Sequence, residues 1–140
     1  MTIDYIPYTR GAIKAEPRTH WVDRWRIDYL PFAKPENAHK PALLVVGGAF
    51  QNFTSYKYCV ECIYDHYPVI LLDLPSLGSN DQLAPDLGME DLADLVYGFV
   101  VDTGLPSVHL MGLSLGSAIA STFAYKYPQL TEKLIVAGIV

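Results

Sequence analysis

Hydrophobic positions obey two different rules along this chain. Before residue 40 they alternate with polar ones, most clearly in Trp21-Val22-Asp23-Arg24-Trp25-Arg26-Ile27-Asp28-Tyr29-Leu30. A period of two sends successive side chains to opposite faces, so the pattern predicts strands with one wet face. Residues 2–9 and 20–32 are the expected antiparallel pair, joined by the stretch 11–18. Pro31, Pro35 and Pro41, with Asn37 among them, then mark a loop.

From Ala42 onward the apolar residues come in continuous runs. Ala42-Leu43-Leu44-Val45-Val46, Val69-Ile70-Leu71-Leu72-Asp73, Ser107-Val108-His109-Leu110-Met111 and Lys133-Leu134-Ile135-Val136-Ala137-Gly138-Ile139-Val140 read as strands covered on both faces. Between them the spacing changes to three and four. Tyr56, Cys59, Val60 and Ile63 predict one helix, and Met89, Leu92, Ala93, Val96, Phe99 and Val100 a second, with Glu90 and Asp91 at its amino end where the helix dipole favours acids. A third helix is expected over 117–125, with Gly116, Ala118 and Ala120 small enough to let it approach a sheet closely. Pro68 and Pro128 interrupt the first and third, and Thr103-Gly104-Leu105-Pro106 stops the second.

Strands alternating with helices give an α/β fold: a mostly parallel twisted sheet of about six strands with helices on both faces. The whole of 1–140 is read as one partial domain, with antiparallel opening strands and a loop over 1–40 and the α/β part over 41–140. In such sheets sites form at the carboxyl ends of the strands. The loops after Val46, Leu72 and Met111 all fall on that edge.

Composition narrows the function. A net charge of −5, spread without long runs, offers no footprint for nucleic acid. The amino terminus lacks the basic start and apolar core of a secretory signal, and no apolar run reaches the roughly eighteen residues of a membrane span. A soluble, cytoplasmic protein is expected. Cys59 and Cys62 form a C-x-x-C spacing, but they lie inside a helix pattern, and His66 alone does not complete a zinc set. No metal and no cofactor are expected.

The candidate chemistry sits in Gly112-Leu113-Ser114-Leu115-Gly116, between an apolar strand and a helix. A nucleophile must project from a tight turn to reach a carbonyl, and side chains two residues to either side would collide with neighbouring backbone. Gly112 and Gly116 answer that need. Ser114 requires a general base to become nucleophilic, and donors aimed at the developing oxyanion. The backbone N–H of Leu115, at the helix start, is one expected donor. Ala49 in Gly47-Gly48-Ala49-Phe50 is the other, with Phe50 as the competing register. Phe50, Phe53 and Tyr56 are read either as an apolar pocket wall or as core packing. Asp73, a carboxylate at a strand end on the same edge, is read either as a catalytic group or as a shaper of its loop.

Taken together these stretches resemble the amino-terminal half of an α/β-hydrolase. The family's strand-end His-Gly-X turn is matched by Gly47-Gly48-Ala49, its Asp-X-X-Gly-X-Gly-X-Ser loop by residues 73–80, and its Gly-X-Ser-X-Gly elbow by residues 112–116. Gly47 stands where the family has histidine, Ser76 where it has glycine and Asn80 where it has serine. The resemblance implies a serine hydrolase or acyltransferase acting on an ester, thioester or amide through Ser114, with a small acyl-containing substrate. It also implies an acid and then a histidine after the nucleophile. No histidine follows Ser114, and Glu132 is the only acid that does; His20, His39, His66 and His109 all precede it. The expectation is therefore an incomplete hydrolase whose sheet is completed by a missing carboxyl-terminal half or a second chain. The alternative is an inactive module pairing through its open sheet edge.

Overall fold

A computed structural model of the chain describes residues 2–138. Six strands form one sheet: β1 (Arg18–Val22), β2 (Trp25–Phe32), β3 (Ala42–Val46), β4 (Val69–Asp73), β5 (Val108–Leu113) and β6 (Thr131–Ala137). Three α-helices accompany them, α1 (Lys57–Ile63), α2 (Met89–Asp102) and α3 (Leu115–Lys126). The strand order is β1-β2-β4-β3-β5-β6. β1, β2 and β4 pair antiparallel, whereas β4, β3, β5 and β6 run parallel.

Side-chain parity on the central strands explains why the helices divide between two faces. Leu44, Val46, Ile70 and Leu72 point to one side, where α2 and α3 supply Leu92, Val96, Phe99, Ile119 and Phe123. Leu43, Val45, Val69 and Leu71 point to the other, where they meet Val60 of α1 together with Phe53, Tyr56 and Ile13. Both faces are therefore dry, which is why β3 and β4 read as unbroken apolar runs. At the amino end of α2 the Gly88 N–H donates to Asp91 Oδ2 at 2.9 Å, and after its last turn Gly104 takes φ +73°.

The opening strands are placed differently from the expected pair. The antiparallel hairpin lies wholly within residues 18–32, turning at Asp23-Arg24, with Asp23 at φ +54°. Residues 2–9 form no strand; Ile6 makes one isolated parallel bridge to Phe32, donating to Pro31 O and accepting from Ala33 N–H. In α3, Ala120 is buried against the sheet as expected, but Ala118 is exposed. The expected last strand runs on to residue 140, and its end lies outside the described residues. Among those residues no helix is long and apolar enough to cross a membrane.

Candidate active site

Ser114 connects the carboxyl end of β5 to the amino end of α3 with φ +56° and ψ −123°. Side chains rarely adopt this backbone conformation, and it turns the Ser114 side chain out of the sheet edge. The two flanking glycines are sterically required. A Cβ on Gly112 would lie 2.5 Å from Gly116 O and from Ser117 Cα, and one on Gly116 would overlap the Val46 carbonyl oxygen.

Hydrogen bonds hold the strained turn in place. The Ser114 N–H donates to Ala137 O of β6 at 2.9 Å, and the Ser117 N–H returns to Ser114 O at 2.9 Å. Ser117, buried inside α3, donates its hydroxyl toward both Gly112 O and Ala137 O, each 2.9 Å away. The sequence pattern alone does not single out Ser117. Its signal is a hydroxyl placed one helical turn after the nucleophile, on the helix face that meets the sheet.

The turn after β3 packs directly on Ser114. A Cβ added to Gly48 would lie 3.2 Å from Ser114 Cβ and 3.4 Å from its Oγ. The Gly48 N–H is engaged by Gln51 Oε1 at 2.8 Å. The N–H groups of Ala49 and Phe50 meet no acceptor among the described residues. Leu115 opens α3, where an amide has no partner one turn back. Phe50 is fully exposed, while Phe53 and Tyr56 are buried in the core. Of the three aromatics, only Phe50 is free to meet a ligand.

Asp73 organises its loop. Its Oδ2 accepts the Ser79 N–H at 2.8 Å and the Ser79 hydroxyl at 2.6 Å, and its carboxylate fills the space a side chain on Gly78 would need. Burial raises the Asp73 pKa above the ordinary carboxylate value, partly offset by these two bonds. Asn80 ties the loop to the hairpin, donating to Arg26 O at 2.8 Å and Asp73 O at 3.2 Å. Ser76 takes φ +66°, the left-handed conformation that glycine adopts more easily.

The four histidines lie away from this edge. His20 is on β1, four strands from β5, paired with Asp102 at 2.9 Å. His39 and His66 precede β3 and β4 at the opposite edge. His109 sits near the amino end of β5 against Tyr67, its pKa lowered by burial and its Nδ1 without a partner among the described residues. Glu132 is exposed and accepts from the Ser107 hydroxyl at 2.8 Å. Cys59 and Cys62 are both free thiols on α1. Among the described residues no three His, Cys, Asp or Glu side chains gather in a way that could hold a metal ion.

The chain is similar in sequence and fold to known proteins. The chain is 31% identical over 97 residues to the (E)-2-((N-methylformamido)methylene)succinate hydrolase of Acinetobacter baylyi, covering 69% of this chain and 36% of that protein. It is 38% identical over 73 residues to a 2-hydroxy-6-oxononadienedioate/2-hydroxy-6-oxononatrienedioate hydrolase of Burkholderia vietnamiensis, covering 51% and 25%. In fold it is similar to a hydrolase from Pseudomonas aeruginosa, with a TM-score of 0.79 at 18% identity over 88% of this chain and 46% of that one. The chain thus spans only 25–36% of the length of these two curated relatives. Residues 41–139 match the family model described as the alpha/beta hydrolase fold, and the chain belongs to that family.

Proposed function

We propose that Ser114 is the nucleophile of a serine hydrolase or acyltransferase acting on an ester, thioester or amide, with the Leu115 and Ala49 N–H groups as oxyanion donors. The observation that carries this reading is the Ser114 backbone at φ +56° and ψ −123°, flanked by glycines whose replacement would overlap neighbouring atoms. Such strain persists only where surrounding structure over-determines it, and it clusters at reacting groups. The attack forms a bond from Ser114 Oγ to the substrate carbonyl carbon. The displaced electron pair settles on the carbonyl oxygen between the two amides, and the serine proton passes to a base.

That base and its acid are supplied by polypeptide beyond the described residues, either in the same protein or in a second chain. The small share of each relative spanned here is consistent with that arrangement. The alternative is a non-catalytic module that pairs through β6, whose outer edge is unpaired among the described residues.

The two readings separate on covalent labelling. A fluorophosphonate probe is expected to phosphonylate Ser114, with loss of fluoride, and Ser114→Ala is expected to lose the adduct. Trace ester turnover alone does not discriminate, because binding and oxyanion donors without a full triad still leave roughly 10³–10⁴-fold catalysis over water. Absence of an adduct, even when candidate carboxyl-terminal partners are mixed in, favours the module.

A further inference from the structure

We propose that Tyr56 is a positioning residue for the oxyanion turn: its hydroxyl fills the space beneath Gly47 and holds Gly47-Gly48 against Ser114. This rests on reading Ser114 as the nucleophile. Tyr56 ends a short 3₁₀ turn, Phe53–Tyr56, and is 2% exposed. Its hydroxyl oxygen occupies the place that a side chain on residue 47 would take, with ring atom Cζ 2.5 Å and Cε1 3.2 Å from that point. No other residue can stand at position 47 without displacing the phenol.

The turn is held from two sides. On the elbow side, Gly116 packs on the Val46 carbonyl and Gly48 on Ser114; on the other side stands the Tyr56 hydroxyl. With both sides occupied, Val46–Gly48 can move neither toward the nucleophile nor away from it. Oxyanion donors act only within a narrow range of distances, and a displacement of about 1 Å can lower a rate about 10²-fold.

Packing alone does not account for the hydroxyl. It is buried and has no hydrogen-bond partner among the described residues. Burial, with the charge of Asp73 adding to it, raises the phenol pKa well above its usual value, so the group stays neutral. An orphaned buried hydroxyl disfavours folding, and phenylalanine would fill all but one atom of the same space. Activity and stability should therefore respond to its removal in opposite directions.

The test is Tyr56→Phe, compared with wild type and with Tyr58→Phe, an exposed tyrosine two residues away. Tyr56→Phe is expected to slow fluorophosphonate labelling of Ser114 by about ten- to a hundredfold while the Tm stays the same or rises. In the same variant the Gly48 amide should exchange its hydrogen several-fold faster, and Tyr58→Phe should change none of these. Labelling and amide exchange at wild-type rates in Tyr56→Phe would overturn the proposal while leaving Ser114 as nucleophile. Slower labelling accompanied by a falling Tm would overturn it as well, because the hydroxyl would then be structural. A wild-type protein that gives no Ser114 adduct even with candidate carboxyl-terminal partners mixed in overturns the nucleophile reading, and the positioning role falls with it.

Discussion

Ser114 concentrates the conflict between folding and chemistry in one residue. A side chain held at φ +56°, ψ −123° costs on the order of 1–3 kcal/mol, and the contacts of Gly112, Gly116 and Ser117 sustain it. Ser114→Gly keeps the amide that donates to Ala137 O and removes the Cβ responsible for the strain. Against that, glycine adds about 0.5–1 kcal/mol of unfolded-state freedom. The expected net effect is a gain of about 1 kcal/mol in denaturant-measured stability, with complete loss of labelling. A clear loss of stability would show that the conformation is not strained here. The glycines of the elbow were legible in sequence because their requirement is local and steric. Ser117 and Tyr56 were not, since each acts on atoms that only the folded chain brings near.

The loop after β4 shows how an element can depend on one buried charge. Asp73 lies opposite Asp28 across the β2–β4 ladder, and burial raises the pKa of both carboxyls. A native carboxyl with a raised pKa keeps its proton to higher pH than the unfolded chain does, so its contribution to stability falls as pH rises from the ordinary value of 3.8 through the native one. Asp73→Asn removes that titration. Its stability relative to wild type is therefore expected to improve between pH 4 and pH 7, as read from urea midpoints at each pH. A relative stability that worsens with pH would mean that the Ser79 bonds outweigh burial. The same scale shows where pattern reading fails. Asp23-Arg24 lacks the glycine that announces a two-residue hairpin turn, so one alternating run concealed two strands and the partner was sought in residues 2–9. The continuous runs of β3 and β4 were read correctly because burial on both faces leaves no other composition open to them, whereas the equally apolar run of β6 proved to be a half-exposed edge strand rather than one covered on both faces.

At the scale of the whole molecule the sheet is asymmetric. β1 is short and partly polar, whereas β6 offers seven residues with Leu134 41% and Ile135 44% exposed and an outer edge unpaired among the described residues. Unpaired edges of this kind recruit other strands. Seven residues at about 3.3 Å each give an edge about 23 Å long, and two half-exposed side chains fall well short of the roughly 1,000 Å² that a stable interface needs. The chain of these 140 residues is therefore expected to associate weakly and reversibly, with a sedimentation coefficient that rises with concentration. Ile135→Lys places a charge on the edge strand, on the sheet face shared with Met111. It should return the protein to a concentration-independent monomer while leaving Ser114 labelling intact, because residue 135 is two positions from the Ala137 carbonyl that holds the elbow. If association persists in the lysine variant, the contact lies elsewhere and the open-edge pairing reading fails. If labelling is lost along with association, the nucleophile depends on what pairs across that edge.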